Sequence, residues 1–402
     1  MLPILKKITL KLLFFLIPSY LNIAFAQIDT LYSPFSSQVG FGKFKCSGDF
    51  NNDGYNDLAV TCYKVLNKHG EFVGAVVVYY GNSECLSDTP EFMYTGQIPG
   101  HSYGITQCVA GDFNNDGFDD LSVSNPAFGE PQLERGYIQI FWGSKAGLTD
   151  KNQLLKIGKT AYGSFGNNLG CIDYNNDGID DLVVEARFDY MLEGRIYIYT
   201  GGYNFSVEKP DYELQVENSQ SLYIAFFDDI NEDGAIDVIA RSNFNWNANI
   251  ALLYTFFGGK KPDNLYDRYD KISDFTPKFI IKDQSGHRKL ILGIFSDHLY
   301  NYTTIAFDTQ TKEKYNHLQM NGYPAKINNN QFIVYKKEPI QDINLYSINN
   351  KCIIKQKYLY SFKDSCSISD PFLFSLNYNA KKQLIFPIKK KGREFLIFIE
   401  LP

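Results

Sequence analysis

Four short segments in the first part of the chain repeat one arrangement of acidic and amide side chains. Each follows the pattern Asp-x-Asn-x-Asp-Gly-x-x-Asp, and an apolar, mostly β-branched run comes directly after it. Oxygen atoms at alternate positions of such a tight segment suit a hard cation, because calcium takes six to eight oxygen ligands. The sequence therefore predicts up to four calcium sites, one in each segment.

The predicted ligands fall at positions 1, 3, 5, 7 and 9 of every segment. Position 7 varies freely in residue type, which indicates that only its backbone carbonyl is used, and the glycine at position 6 permits a sharp turn. The ligand positions are Asp49, Asn51, Asp53, Tyr55 and Asp57 in the first segment; Asp112, Asn114, Asp116, Phe118 and Asp120 in the second; Asp173, Asn175, Asp177, Ile179 and Asp181 in the third; and Asp229, Asn231, Asp233, Ala235 and Asp237 in the fourth.

Other interpretations of these segments fit less well. An EF-hand requires a bidentate Glu at position 12 between two helices, but position 12 is Val60, Val123, Val184 or Ala240 on a predicted strand. Metal-free Asx-turns are the main alternative, because Asn, Asp and Gly favour turns. They do not explain why three carboxylates, which repel each other without a cation, recur at one spacing. Magnesium prefers a stricter octahedron with several waters.

The first 26 residues have the features of a secretory signal peptide. Lys6, Lys7 and Lys11 accompany a short apolar stretch, residues 12–21, and Ala24-Phe25-Ala26 supplies small residues before a cleavage site. A membrane anchor is the alternative, but the stretch is short for a span and is interrupted by polar residues. We expect cleavage after Ala26 and a mature chain that is secreted, extracellular or periplasmic, with no membrane span.

The acidity of the mature chain is local. Residues 27–258 contain 31 acidic and 13 basic side chains, a net charge of −18, whereas residues 259–402 contain 14 and 23, a net charge of +9. The acidic part is the part that carries the Asp segments. Cation binding accounts for this better than a uniformly acidic surface, because the acids stand at fixed spacing and four calcium ions would bring the mature chain close to neutrality.

The segments belong to a longer repeat. Their position-6 glycines are spaced by 63, 61 and 56 residues, a period that suits one four-stranded sheet. Each unit ends in an alternating strand closed by glycine, as in residues 74–81. An aromatic-Gly pair precedes the first three segments and is absent before the fourth; the pairs are Phe41-Gly42, Tyr103-Gly104 and Phe165-Gly166.

Residues 261–402 keep the period but lose the carboxylates. Degraded copies of the unit surround Gly286, residues 327–335 and residues 375–386. Four full and three degraded units predict an all-β, seven-bladed β-propeller that occupies residues 27–402 as a single domain, with calcium-loop repeats in 27–260 and degenerate repeats in 261–402. Six or eight blades, or a linear solenoid with capping repeats, are the alternatives.

The repeat resembles the FG-GAP repeat of integrin α-subunit propellers and their bacterial relatives. The resemblance is carried in residues 40–260 by the aromatic-Gly pair and by Gly-Asp-Phe-Asn-x-Asp-Gly-x-x-Asp-Leu-x-Val. It implies a seven-bladed propeller whose loops bind calcium through the Asp and Asn positions given above. The chain departs from the family in lacking the Gly-Ala-Pro element after the valine, of which Ser124-Asn-Pro126 keeps only the proline.

Elsewhere the sequence shows no catalytic constellation. Its five histidines are scattered, and neither a Gly-x-Ser-x-Gly nor a P-loop is present. We therefore predict a calcium-binding propeller that acts as a binding or adhesion module for an extracellular protein or glycan, monomeric and without a nucleic-acid partner. A propeller-scaffold enzyme, such as a polysaccharide lyase or hydrolase, and a purely structural surface protein are the alternatives.

Seven cysteines leave their pairing open. Disulfides are compatible with an exported chain, and the odd count leaves at least one thiol unpaired. Small buried thiols inside strands are the alternative.

Overall fold

The computed structural model describes residues 28–273 with short gaps, and beyond them the strands of residues 275–400. The gaps are residues 36–37, 84, 101–103, 128–133, 190–192, 218, 244–249 and 274, and the segments between the later strands. The predicted signal peptide lies outside the described residues. Within the described part of the chain, no helix has the length and hydropathy needed to span a bilayer.

The described strands number 29 and form seven antiparallel sheets. One strand, β1 (Ile28–Tyr32), precedes the first complete sheet. Sheets 1 to 4 follow in chain order, as β2 (Phe41–Gly48), β3 (Asp57–Cys62), β4 (Ala75–Tyr79) and β5 (Phe92–Thr95); β6 (Gln107–Gly111), β7 (Asp120–Asn125), β8 (Tyr137–Phe141) and β9 (Gln153–Ile157); β10 (Phe165–Ile172), β11 (Asp181–Ala186), β12 (Arg195–Tyr199) and β13 (Tyr212–Leu214); and β14 (Gln220–Asp228), β15 (Asp237–Asn243), β16 (Ile250–Phe256) and β17 (Arg268–Ser273).

Sheets 5 to 7 continue the same order where the sequence repeats are degraded. They comprise β18 (Phe275–Lys282), β19 (Arg288–Phe295), β20 (Tyr302–Asp308) and β21 (Met320–Asn321); β22 (Tyr323–Asn328), β23 (Gln331–Tyr335), β24 (Asp342–Ile348) and β25 (Ile353–Ser361); and β26 (Ser367–Ile368), β27 (Phe372–Leu376), β28 (Lys381–Lys390) and β29 (Arg393–Glu400). The three degraded repeats therefore correspond to the hairpins β18–β19, β22–β23 and β27–β28.

The sheets are arranged as the blades of a propeller. The first strands of consecutive sheets contact each other from β2 to β22, and the last sheet contacts β2. The strand β1 pairs antiparallel with β29, with Ile28 opposite Ile399 and Tyr32 opposite Phe395. The first strand of the described residues is therefore an edge strand of the last sheet, and this pairing closes the ring.

The hydrophobic core consists of layers between neighbouring sheets. The strands β3, β4, β7, β8 and β11 are buried along their whole length, because each has another sheet on both of its faces. This double burial explains why the runs that follow the Asp segments are continuously apolar rather than alternating. One layer joins Ala59 and Val76 of sheet 1 to Leu121 and Phe141 of sheet 2.

The predicted strand pattern is confirmed in the described residues. The aromatic-Gly pairs Phe41-Gly42 and Phe165-Gly166 open the first strands of sheets 1 and 3, whereas Tyr103 lies outside the described residues. Of the seven cysteines, the five that the structure describes form no disulfide. Cys46 and Cys62 are buried thiols within strands, as the alternative interpretation of the cysteines proposed.

Candidate functional site

The four Asp segments occupy equivalent turns of four successive sheets. Each joins the first strand of a sheet to its second strand: β2 to β3, β6 to β7, β10 to β11 and β14 to β15. We call these turns loops 1 to 4 in chain order, and number the positions of each from its first Asp. Because the sheets are arranged around one ring, the four loops lie at the same end of neighbouring blades.

Within each loop, side-chain oxygens fold the turn around its own backbone. In loop 1 the backbone N–H of Asp53 donates both to Asp49 Oδ1 and to Asn51 Oδ1, at 3.0 Å each. The N–H of Gly54 donates to Asp49 Oδ2 at 2.9 Å, and that of Tyr55 donates to Asp53 Oδ1 at 2.9 Å. Positions 1, 3 and 5 therefore direct their oxygens into one turn.

The same hydrogen bonds recur in loops 2 and 3 and nearly recur in loop 4. In loop 2 the N–H of Asp116 donates to Asp112 Oδ1 at 3.0 Å and to Asn114 Oδ1 at 2.9 Å. In loop 3 the corresponding bonds from Asp177 are both 3.0 Å. Loop 4 differs in that Glu232, rather than the next residue, donates to Asp229 Oδ1.

Position 4 explains part of this difference. It has a left-handed backbone in every loop, with φ of 48° at Asn52, 57° at Asn115 and Asn176, and 65° at Glu232. Asn adopts this conformation several times more readily than most residues, and Glu does not share that preference. The fourth loop is therefore the one whose turn is least favoured by its own sequence.

The position-9 aspartates are buried and hold the base of each loop. Asp57 is 0% exposed, and its two carboxylate oxygens accept from the backbone N–H of Phe50 at 2.9 Å and of Gly81 at 2.8 Å. Burial, opposed in part by these two bonds, raises the pKa of Asp57 to about 7 and that of Asp120 to about 8. The same cause raises the pKa of Asp181 and of Asp237 to about 6.

In each of the four sheets with an Asp loop, the glycine after the third strand is hydrogen-bonded to this aspartate. Gly81, Gly143, Gly201 and Gly258 each donate their N–H to the position-9 carboxylate of their own sheet, at 2.8–3.0 Å. A Cβ at any of them would lie 2.3–2.4 Å from the position-8 carbonyl oxygen of the same loop, so no larger residue fits. The recurring glycine in the sequence thus belongs to the site and not only to a strand end.

Position 2 anchors each of the first three loops to the following sheet. Phe50, Phe113 and Tyr174 are fully buried. They pack in the layers that join sheets 1 and 2, 2 and 3, and 3 and 4, respectively. The position-2 side chain therefore packs each of these three loops against both its own sheet and the next one.

Neighbouring loops are also joined by backbone hydrogen bonds. The residue after the closing glycine of one sheet donates its N–H to the position-2 carbonyl of the preceding loop. These bonds run from Ser144 to Phe50, from Gly202 to Phe113 and from Gly259 to Tyr174, at 3.1, 2.9 and 2.7 Å. All three junctions between loops 1 and 4 are built in this way.

The donor set of each loop fits a hard cation. It combines two carboxylates and one amide oxygen that share one turn with a third carboxylate at its base, all of them oxygen ligands of the kind that calcium takes. In the described residues no three His, Cys, Asp or Glu side chains converge as closely as metal ligands do. Both oxygens of each position-9 carboxylate are instead hydrogen-bonded to backbone N–H groups, as at Asp57.

Every predicted ligand position falls within these turns, and some contributing positions were not predicted. Positions 1, 3, 5 and 9 have the contacts described above, and position 7 donates its N–H to the position-5 carboxylate, as Ile179 does to Asp177 at 2.9 Å. The sequence did not predict the left-handed backbone at position 4 or the contact between the position-8 carbonyl oxygen and the closing glycine. The recurrence of Asn at position 4 was the available signal for the former.

Comparison with known proteins identifies the class. The fold is a β-propeller: the solved structure titled "Structure of Dos1 propeller" superposes with a TM-score of 0.51 at 10% sequence identity, covering 88% of this chain and 76% of that one. A family model of the FG-GAP-like repeat matches residues 49–123, and one of the FG-GAP repeat matches residues 107–141. Residues 49–141 of this propeller therefore match the FG-GAP repeat, which supports an FG-GAP, integrin α-like family.

Curated relatives match a little over a third of the chain. Integrin alpha-7 of Mus musculus is 34% identical over 152 residues, which is 37% of this chain and 12% of that protein. Phosphatidylinositol-glycan-specific phospholipase D of Mus musculus is 32% identical over 149 residues, 35% of this chain and 18% of that protein. The chain thus covers less than a fifth of the length of either relative.

Proposed function

We propose that the protein is an exported, calcium-binding propeller that acts as an adhesion or binding module. The observation that carries the proposal is the fourfold recurrence of one oxygen-donor loop at equivalent turns of neighbouring sheets. Bound calcium would neutralise the clustered carboxylates and stiffen the turns that contain them. The integrin α relative supports a binding role toward an extracellular protein or glycan.

The electrostatics of the loops supports this proposal. In each loop the position-9 carboxylate is buried, and other loop aspartates raise its pKa further, as Asp49 and Asp53 do for Asp57. A divalent cation would lower the pKa of such a carboxylate by favouring its charged form.

Calorimetry on the mature chain, residues 27–402, tests the proposal. Titration of calcium into protein that has been treated with a chelator should show saturable binding with up to four sites, and magnesium should bind more weakly. No measurable uptake of calcium would overturn the metal part of the proposal. Capture of an extracellular protein or glycan that is lost with a chelator and restored by calcium would support the adhesive part. Capture unaffected by chelation would contradict the calcium dependence of binding, and failure to capture either class of ligand would contradict the adhesive part.

The relative named a phospholipase D keeps an enzymatic role as the second candidate. Its matched region covers only 18% of that protein, and the sequence of this chain shows no catalytic constellation. Turnover of a polysaccharide or phospholipid panel by the purified chain, abolished by substitution of a propeller residue outside the loops, would favour an enzyme over a binding module.

A further inference from the structure

Position 8 of two loops reaches back into the preceding loop. Asp119, at position 8 of loop 2, accepts a hydrogen bond through Oδ2 from the backbone N–H of Asp49, position 1 of loop 1, at 2.8 Å. Asp180 of loop 3 accepts in the same way from the N–H of Asp112 in loop 2, at 3.1 Å. We call each of these bonds a latch. A latch therefore joins a predicted ligand residue of one loop to a residue of the next.

A glycine makes room for each latch. An added Cβ at Gly48, which precedes Asp49, would lie 2.9 Å from Asp119 Oδ2, and an added Cβ at Gly111 would lie 2.9 Å from Asp180 Oδ2. Such approaches are closer than a real Cβ tolerates. The nearest atom to the added Cβ is Ala110 Cβ at Gly48, 2.8 Å away, and Cys171 Sγ at Gly111, 2.4 Å away. Each glycine therefore accommodates both the latch and a side chain from the first strand of the next sheet.

The junction between loops 3 and 4 has neither the glycine nor the aspartate. The residue before Asp173 of loop 3 is Ile172, and position 8 of loop 4 is Ile236. This junction still has the backbone bond from Gly259 to Tyr174 and the buried packing of Tyr174 against sheet 4. Junctions 1–2 and 2–3 thus have a latch and junction 3–4 has none, so junction 3–4 provides an internal control.

The first latch is reciprocal and charged. The N–H of Asp119 donates to the carbonyl of Asp49 at 3.2 Å, while its carboxylate accepts from the N–H of the same residue. Bonds from N–H groups to a carboxylate are stronger than neutral ones. Movement of position 1 in loop 1 therefore displaces position 8 of loop 2, which directly precedes the buried Asp120.

We propose that the two latches couple loops 1, 2 and 3 into one cooperative calcium-binding unit, and that loop 4 binds calcium independently. Asp119 and Asp180 act as positioning residues and not as ligands. Order that calcium imposes on one loop passes through the latch to its neighbour, and coupling of this kind is reciprocal. The inference rests on the proposed calcium binding.

The test follows each loop separately by hydrogen–deuterium exchange during a calcium titration of the full mature chain. In Asp119→Ala, loop 1 should become protected only at calcium concentrations about 5-fold or more above wild type, a typical size for coupling between sites, although loop 1 itself is unchanged. Ile236→Ala, the equivalent change at the junction without a latch, removes part of the packing beside Tyr174 and should shift loop 3 by clearly less than about 5-fold. Asp119→Asn, which keeps an oxygen acceptor for the Asp49 N–H, should restore most of the coupling and covers the case in which the alanine variant folds poorly.

The outcomes separate the latch from the calcium proposal. Protection of loop 1 in Asp119→Ala at the wild-type calcium concentration would overturn the coupling, as would an equal shift in Ile236→Ala. If calcium protects no loop of the wild-type protein, the calcium proposal itself fails. The latch is then tested in calcium-free protein, where the amide of Asp49 should exchange faster in Asp119→Ala than in Ile236→Ala, and equal rates would contradict it.

Discussion

Gly81 donates its backbone N–H to Asp57 Oδ1 at 2.8 Å, and this bond joins the end of a sheet's third strand to the loop between its first two strands. The same pair exists in four sheets, as Gly143 with Asp120, Gly201 with Asp181 and Gly258 with Asp237. Each candidate site is thus built from three strands of one blade. Its geometry depends on a residue 20 to 24 positions away in sequence.

Substitution of this glycine should destabilise the blade. In Gly81→Ala the new Cβ would lie 2.3 Å from the carbonyl oxygen of Asn56, so the strand end must move and the bond to Asp57 must lengthen. We expect a loss of about 1–3 kcal/mol, the usual range for overpacking, measured by chemical denaturation. Gly163→Ala is the control, because neither glycine has a positive φ and an added Cβ at Gly163 would lie 3.1 Å from its nearest atom, the Thr160 carbonyl oxygen; an equal loss there would show that the contact with Asn56 is not the cause.

Chelation should lower thermal stability. A ligand that binds only the folded state adds RT ln(1 + [L]/Kd) to its stability, about 2.7 kcal/mol for a site at a hundredfold excess over Kd. Melting of the mature chain in EDTA should therefore occur at a lower temperature than in calcium, and magnesium should restore less of the difference. Identical melting temperatures in EDTA and calcium would count against sites that stabilise the fold.

Loss of one ligand should affect its own loop most. Asp53 accepts the N–H of Tyr55 and receives the amide of Asn51, and it makes no bond to another loop among the described residues. Asp53→Ala should therefore remove one calcium from the stoichiometry measured by calorimetry. Asp150→Ala, at an exposed aspartate outside the loops, should leave the stoichiometry unchanged, and an equal loss there would point to a general effect of charge.

Glu185 should make stability fall as pH rises. This β11 side chain is 1% exposed and accepts from Asn167 Nδ2 at 2.6 Å and from the N–H of Ile224 at 2.8 Å. Burial raises its pKa from 4.5 to about 7. Between these values the folded state holds a proton that the unfolded state has released, so the folded state loses about 3 kcal/mol as pH rises from 4.5 to above 7.

Glu185→Gln isolates that contribution. The amide does not titrate, and its oxygen can still accept from Ile224. Denaturation in EDTA at pH 5 and pH 8 should show the variant gaining about 3 kcal/mol relative to wild type at the higher pH. A constant difference between the two proteins across this range would show that Glu185 is already charged throughout it.

The pairing that closes the ring should be sensitive to one side chain of β1. Leu31 is 7% exposed and packs in the core layer with Phe41 and Leu58 of sheet 1. Leu31→Ala should cost about 2–4 kcal/mol, as for other buried leucines. Its neighbour Tyr32, 51% exposed, provides the control, since Tyr32→Ala should change stability by less than 1 kcal/mol; a similar loss in both variants would indicate damage to the strand pairing instead.

The all-β repeat architecture could be predicted because its signals are local. The run after each Asp segment is apolar because β3, β7 and β11 are buried on both faces, and such runs are visible in one dimension. The spacing of the degraded repeats also predicted the positions of the hairpins in sheets 5 to 7. The pairing of β1 with β29 gave no local signal, because it joins the two ends of the chain.

The candidate sites were predictable in composition and not in their connections. The ligand pattern identified every loop because turn chemistry and oxygen donors recur at one spacing. The latches could not be predicted, because position 8 is not the same residue in every loop: it is Asn56, Asp119, Asp180 or Ile236. Only the structure shows that Asp119 and Asp180 contact the preceding loop beside Gly48 and Gly111. Position 8, which makes the contacts between loops, varies among the loops, whereas the predicted side-chain ligands at positions 1, 3, 5 and 9 are the same in every loop.

The pairing of β1 with β29 also sets the order in which the chain can mature. Strands of sheets 1 to 6 find all their partners within about 60 residues, so each of these blades can form as soon as its own segment has emerged. Sheet 7 must wait for Arg393–Glu400, and until then β1 is an unpaired strand with open backbone groups, a form prone to pairing with other chains. A polypeptide that lacks β29 would therefore expose the backbone groups of β1, and we expect such chains to associate with one another more readily than chains that contain both strands.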